Sequence, residues 1–406
     1  MNIKNKKNMR KFESIDYWYH LMTGNNNANE KKKLIKKMIT CLENEYPDLC
    51  SLILERACNL NCLHCFFQKE QSSAKVSKAA ELESKISNIV SQLPKNASVI
   101  HEGRILQNWH LPILKRLREE RSDISFGLID NGSYLLQKNY LNENEFLFDW
   151  IDISLDGIKS IHNQQRQNNK AYDMAIAGLK EARRYTATQD NGGKVTSLFT
   201  ATTINYHYLT KTAHLLMSRR LIEELHVTPA SEVVSKNEKI VMSNDDWLIF
   251  WEQFKEAKAI GDNHGVEIYL KLYKLEDVIK LSKVVGKQKF LKDFNDTKTV
   301  MVDRGSISFI VDDIRILYIP LSICQSETFV IDSDGKYRLA YCIEYTLKEL
   351  NEGKDSKGND ISVYTVSRLE KTSSFKSLYR KGVKQWMDNF GLKKLEEEIY
   401  FFKNES

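Results

Sequence analysis

No stretch of this 406-residue chain approaches the roughly twenty consecutive apolar residues that a membrane-crossing helix needs, so no membrane association is expected. The polar, Lys-rich segment Met1 to Lys11 has no apolar run behind it, and no secretory signal is read there. Cysteine is scarce, seven residues in 406, far from the density of a small disulfide-held secreted domain. Thiols that are few and not behind a signal point to a reducing cytoplasm, where they serve metals or catalysis more often than disulfides. No internal repeat is present, and no low-complexity segment beyond Asn25-Asn26-Asn27. What is present suffices for a core: 42% of residues are hydrophobic and 28% charged, and the length suits one large domain plus a smaller one. The net charge is +6, with clusters at Lys4 to Lys7 and Lys31 to Lys37. Such a balance is compatible with nucleic acid or an acidic partner protein. Lys-rich helix faces are more commonly just solvated, so no nucleic-acid partner is expected.

Against this background one stretch stands out: Cys58-Asn59-Leu60-Asn61-Cys62-Leu63-His64-Cys65, directly after the apolar run Ser51-Leu52-Ile53-Leu54. A strand ending there places three thiols on the following loop, where they can converge on one metal centre. Iron–sulfur cubanes take cysteine thiolates and normally want four, so three leave one iron open. A structural zinc site prefers four protein ligands, often as paired CxxC halves, and no second half follows nearby.

The chain around this loop alternates between two periods. Residues 12–48 read as two helices separated by Gly24-Asn25-Asn26-Asn27. Strands are expected at 51–56, 98–100, 124–129, 150–155, 194–203 and 224–227. Helices are expected between them at 79–93, 112–120, 172–185 and 208–221. This alternation argues for a parallel sheet built from βαβ units, and in barrels of that kind the chemistry sits at the C-terminal ends of the strands.

The CxxxCxxC spacing resembles the signature of the radical S-adenosylmethionine (SAM) enzymes. The resemblance covers about residues 50–232 and rests on three further stretches, each at the end of an expected strand. Ile129-Asp130-Asn131-Gly132-Ser133 is similar to the family's TNG turn. Ile153-Ser154-Leu155-Asp156-Gly157 is similar to its SLDG segment. His162-Asn163-Gln164-Gln165-Arg166 falls where the family has a spaced His and Arg. The resemblance implies an α/β fold, an open partial (β/α)6 barrel, with a [4Fe-4S] cluster on Cys58, Cys62 and Cys65 and SAM chelated at the open iron. It implies that His64 lies near the adenine, that Asn131, Ser154 and Asp156 line the cofactor site, and that Arg166 pairs with the SAM carboxylate. A guanidinium suits that last task by bidentate binding. Asn205, after the fifth strand, falls at another cofactor-facing position. The family's Gly-Gly-Glu-Pro after strand two is replaced by His101-Glu102-Gly103-Arg104. There Gly103 can serve as the close-approach glycine, and either Glu102 from a shifted register or backbone carbonyls would meet the SAM amino group.

Residues 233–406 read as a smaller α+β domain, and 1–49 as a helical extension. A helix is expected at 245–260, with strands near 267–273, 306–311 and 314–319. Thr328 to Arg338 reads as a hairpin with an Asp-Gly turn, flanked by Cys324 and Cys342. This arrangement resembles the opening of the SPASM or twitch extension of peptide-modifying radical SAM enzymes. No further cysteine follows Cys342, so a complete auxiliary cluster is not expected. Cys324 and Cys342 then read as inert buried thiols, as a vestigial pair, or as hydrogen-atom donors to a substrate radical.

The family chemistry so implied is one-electron cleavage of SAM to a 5′-deoxyadenosyl radical, which abstracts a substrate hydrogen. An acidic flavodoxin- or ferredoxin-type protein would supply the electron. The hairpin favours a ribosomal peptide as substrate, modified by epimerisation or cross-linking. The alternative is a small-molecule epimerase or dehydratase acting on a sugar, aminoglycoside or nucleoside intermediate. A non-catalytic cluster protein or nucleic-acid-binding protein stays open beside both.

Overall fold

The computed structural model describes residues 13–45, 49–54, 58–65, 79–102, 110–135, 141, 147–188, 193–230, 238–296, 301–303, 306–320, 322–323, 328–332, 337–339, 365–366, 380, 383–384 and 386–403. The expected hairpin turn, Gly103, Cys324 and Cys342 lie outside these residues.

Strand and helix alternate as the two hydrophobic periods predict. The first six strands are β1 (Leu49–Ile53), β2 (Ser98–His101), β3 (Ser125–Asp130), β4 (Trp150–Ser154), β5 (Lys194–Ala201) and β6 (Glu224–Pro229). Adjacent members pair in parallel, in chain order. The helices are α1 (Glu13–Thr23) and α2 (Ala28–Asn44) before the sheet, then α3 (Ala79–Val90), α4 (His110–Glu120), α5 (Lys159–Arg166), α6 (Ala171–Ala187) and α7 (Leu209–Ser218) between strands. β1 and β2 are buried at every position, as strands covered on both faces must be.

The parallel run does not stop at six. β7 (Glu267–Leu272) adds beside β6, β10 (Ile314–Tyr318) beside β7, and β11 (Thr328–Asp332) beside β1, all parallel. Nine parallel strands therefore form the middle of one sheet among the described residues. Antiparallel strands flank it: β9 (Ser306–Val311) and β8 (Met301–Asp303) at one edge, β12 (Tyr337–Leu339) and β13 (Thr365–Val366) at the other. The expected hairpin is real in its strands, with Phe329 opposite Leu339 and Ile331 opposite Tyr337, and it is stitched to the cysteine-bearing strand rather than standing apart.

The two faces of the sheet differ. Cys50, Leu52, Phe126, Leu128, Ile151, Ile153, Leu225 and Leu270 point to the helices and join one large apolar core. That core runs from Ile15 to Phe402, so it passes through all three of the ranges 1–49, 50–232 and 233–406. The opposite face carries a small separate cluster of Leu49, Ile100 and Trp150, with Ile129 packed against it, and mixes polar residues such as Asp152 and Ser154 with apolar ones such as Ile53 and Leu317.

α8 (Asn244–His264) begins at a capping box, Ser243 with Asp246, that satisfies the first orphan amides. Its residues Trp247, Phe250, Trp251, Phe254, Ala257 and Gly261 repeat at three- and four-residue spacing and are all buried, as an amphipathic helix requires. α9 (Leu275–Val285) and α10 (Lys287–Asp296) follow, and α11 (Leu392–Lys403) closes the chain against α1. Among the described residues no helix is long and apolar enough to cross a membrane.

Candidate functional site

Because β1 to β6 are parallel, their C-terminal ends share one edge of the sheet, and the loops that leave them meet there. The cysteine loop leaves β1, Glu102 follows β2, Asn131 follows β3, Asp156 follows β4 and Asn205 follows β5. Cys58, Cys62 and Cys65 stand outside any disulfide, each half-buried. The loop folds on itself through Cys65 N–H to the Cys62 carbonyl at 3.2 Å, and Leu60 N–H approaches Cys58 Sγ at 3.4 Å. It is tied to α5 by Leu63 N–H donating to the Gln165 carbonyl at 2.9 Å. From the other side, Asn131 Nδ2 donates to Asn59 Oδ1 at 2.9 Å and lies 3.9 Å from Cys58 Sγ.

The Asn131-Gly132 turn is shaped by backbone constraints. Asp130 Oδ1 accepts from Gly132 N–H at 2.6 Å, and Asn131 Oδ1 from Ser133 N–H at 2.9 Å. Gly132 has φ +85°, a conformation that strains any residue with a Cβ. It also packs on α6, where a Cβ on Gly178 would fall 2.5 Å from the Gly132 Cα. Only two glycines allow this approach. Asp130 itself is buried, and burial pushes its carboxyl up to about 7.

The centre of the site is a buried polar network. Asp156 is fully buried. Its Oδ2 accepts from Arg166 Nε, its Oδ1 from Thr200 N–H at 2.9 Å, and its own N–H donates to His162 Nδ1 at 2.9 Å. Burial works against the Asp156 charge, yet Arg166, His64 and His162 together hold the carboxyl below the usual range. Burial also opposes the Arg166 charge, but Asp156 and Cys62 keep the guanidinium firmly protonated. Arg166 Nη1 reaches Cys62 Sγ at 3.6 Å. α5 ends at this residue because Gln167 turns left-handed, φ 53°, and returns its N–H to the last turn. Asn205 Nδ2 donates to the carbonyls of Asp156 and Thr200, both at 2.8 Å, and Asn205 Oδ1 accepts from Thr202 N–H at 2.7 Å. Gln165 bridges Thr200 and Thr202.

His64 sits on the loop between Cys62 and Cys65. Its Nδ1 is buried without a hydrogen-bond partner, and burial holds the imidazole down at about 4, so it is neutral near pH 7. On the sheet face opposite the helices, Glu102 accepts from Ser51 and lies in the field of Lys271 and Asp152. Burial pushes its carboxyl up to about 7, against those first two influences. Among the described residues, no three Cys, His, Asp or Glu side chains approach as ligands of a single metal ion do. Thiolates that hold a cubane each bind a different iron, and three cysteines spread along one loop have the donor chemistry that such a cluster takes.

Two solved structures match the architecture at a TM-score of 0.50. One is anSMEcpe with bound AdoMet and the Cp18Cys peptide, 16% identical, with 87% of this chain and 99% of that chain covered. The other is Streptococcus suis SuiB bound to the precursor peptide SuiA, 13% identical, with 80% of this chain and 70% of that one covered. Both are radical SAM enzymes. The chain has the radical SAM fold. No protein-family model matches the sequence, and no curated protein matches it.

On the radical SAM barrel edge, the structure brings together Cys58, Cys62, Cys65, His64, Asn131, Asp156, Arg166 and Asn205 through the contacts just described. Ser154 ends β4 in register with Leu198, beside this group and half-buried. Gly103, Cys324 and Cys342 lie outside the described residues. Sequence reading does not single out Gln165, Thr200 or Thr202, whose hydrogen bonds complete the network. α5, polar apart from Ile161, buries His162, Gln165 and Arg166, as a helix over a polar site does.

Proposed function

We propose that this protein is a radical SAM enzyme that modifies a ribosomal peptide, by epimerisation or by cross-linking of side chains. One observation carries the reading: three cysteines on one loop lie over the C-terminal edge of a parallel barrel sheet, fastened there by Arg166, Asn131 and the Gln165 carbonyl. Cys58, Cys62 and Cys65 would hold a [4Fe-4S] cluster with one iron open for SAM. When bound, cluster and SAM supply one-electron reductive cleavage and hydrogen abstraction from the substrate.

The protein's own part is to place and shield these groups. Asn131 and Arg166 hold the two ends of the cysteine loop. His64 offers a neutral imidazole beside it, and its orphan buried Nδ1 suits a ligand that brings a polar atom. On this reading Ser154, Asp156, Asn205 and Gly103 would border the cofactor, and Arg166 would meet its carboxylate through Nη2, since Nε is taken by Asp156 and Nη1 faces Cys62. The peptide assignment is supported by the peptides bound in the two matched enzymes and by the hairpin of β11 and β12. Cys324 or Cys342 would serve as a hydrogen-atom donor, and an acidic flavodoxin- or ferredoxin-type protein would deliver the electron.

A second reading has its own support. The sheet face opposite the helices sets Glu102, Asp152 and Lys271 within mutual electrostatic range, a charged lining suited to a small polar substrate such as a sugar or aminoglycoside.

Anaerobic reconstitution tests the main proposal. Wild-type protein is expected to take up about four irons per chain and to form 5′-deoxyadenosine from SAM under reduction, and Cys62→Ala to lose both. Iron uptake and SAM cleavage by Cys62→Ala equal to wild type would overturn the assignment. About eight irons would add a second cluster on the remaining cysteines.

A further inference from the structure

Arg166 donates to two side chains in the described structure, and only one of them is a carboxylate. Its Nε is taken by Asp156, and its Nη1 points at Cys62 Sγ, 3.6 Å away. Asp156 cannot swing off: it is fully buried, its Oδ1 is pinned by Thr200 N–H, and the residue's own N–H is held by His162. The last turn of α5 and the left-handed Gln167 fix the backbone that carries the guanidinium. A charged, immobile N–H donor is thus presented to a cysteine sulfur by a network built from α5, β5 and the loop after β4.

Hydrogen bonds to the ligand sulfurs and local charge are what set the potential of an iron–sulfur cluster. A guanidinium cannot lose its proton in a protein, so the donor is present at every working pH. We propose that Arg166, positioned by Asp156, raises the reduction potential of the cluster held by Cys58, Cys62 and Cys65 through its N–H to the Cys62 sulfur. This rests on the cluster assignment above and extends it. The couple concerned is the addition of one electron to the oxidised cluster from an external reductant such as dithionite. No bond to Arg166 forms or breaks, and its proton stays in place. The added negative charge is favoured because the donor withdraws density from the sulfur. The role is separate from carboxylate binding, because it operates before SAM arrives.

The test is an equilibrium redox titration of the reconstituted full-length protein, followed by electron paramagnetic resonance and carried out without SAM. For Arg166→Gln, the reduced-to-oxidised ratio at a fixed potential is expected to fall at least tenfold, a shift of about 59 mV to the negative for a one-electron couple. Arg166→Lys, which keeps the charge but not the fork, is expected to fall between the two. Removing Arg166 alone leaves a lone buried carboxylate, so the double variant Arg166→Gln with Asp156→Asn is titrated as well and is expected to match the single change. A potential equal to wild type in the double variant overturns the proposal, because a shift confined to Arg166→Gln would come from the stranded Asp156 carboxylate. So does a shift that appears only once SAM is added, since Arg166 would then act through the SAM carboxylate. Failure of the wild type itself to take up iron is a different result and would overturn the cluster assignment instead.

Discussion

Two buried carboxylates in this protein are handled in opposite ways. Asp156, at the barrel edge, is fully buried and keeps its charge because a guanidinium lies against it. Glu398, on α11, is as deeply buried but among the described residues meets neutral donors: Trp18 Nε1 at 2.6 Å, Tyr318 hydroxyl at 3.1 Å, and the hydroxyl and N–H of Ser322. Burial pushes its carboxyl up to about 7, and those hydrogen bonds only partly offset this. The first arrangement fixes a cation beside Cys62 on the cysteine loop. The second joins α1, β10 and α11, at the place where Trp18 also packs edge-on against Phe402. Charge is retained where a buried cation lies against the carboxylate and discouraged where the partners are neutral.

The largest expected effect comes from breaking the charged pair. Arg166→Ala strands the Asp156 carboxylate and should cost about 3–5 kcal/mol in denaturant unfolding at pH 7. Adding Asp156→Asn should restore most of that, and a double-mutant cycle reads the coupling. Purely additive costs would mean that the pair is not what holds this network.

Next comes the turn that presents Asn131 to the loop. Gly178→Ala should cost about 1–3 kcal/mol by forcing α6 off the Gly132 backbone. The measurement is thermal unfolding, and an unchanged midpoint would show that the close approach relaxes freely.

The pH dependence sharpens the comparison. The Glu398 carboxyl titrates at about 7 when folded against an ordinary 4.5, so the unfolded chain ionises first. Its contribution is full below about pH 4.5 and is lost as pH rises through about 7. Asp156 has the reverse sign: its contribution is present above the ordinary carboxylate range and is lost as pH falls below its depressed value. Glu398→Gln should therefore gain on wild type as pH rises from about 5 to 8, by at most on the order of 3 kcal/mol. A wild-type-minus-variant difference that stays flat over that range would remove Glu398 as a titrating group.

The smallest effect is expected at the rim. Lys159 and Asp173 pair beside the same site, but both are more than half exposed. Lys159→Ala should change stability by less than about 0.5 kcal/mol, and a larger loss in the same unfolding assay would point to a role that the pair geometry does not reveal.

Much of this molecule is legible in the chain. Strand β4 is expected at 150–155 and spans Trp150–Ser154, and the two N-terminal helices separate near the asparagine break. Such elements are periodic and apolar, so local pattern suffices. α5 is missed for the opposite reason: its sequence Lys-Ser-Ile-His-Asn-Gln-Gln-Arg has no apolar stripe, because what it buries is polar. The helices over 275–296 are also passed over, although Val278 with Leu281 and Phe290 with Phe294 show helical spacing. At the site, the cysteine triplet, Asn131, Asp156 and Arg166 are readable from motif spacing, whereas Gln165, Thr200 and Thr202 are not.

The sequence by itself determined what is local: three thiols on one loop, the strand that precedes them, the turn after β3 and the alternation that makes a parallel sheet. These follow from spacing along a few residues, and spacing is visible without a fold. Only the tertiary structure decided which buried polar groups meet. Arg166 reaches Cys62 across 104 residues of chain, and Trp18 reaches Glu398 across 380. It also decided that β11 lies against β1, joining a distant hairpin to the edge of the cysteine strand. A buried polar atom takes whichever partner the packing of distant elements brings within reach, and no local period records that choice.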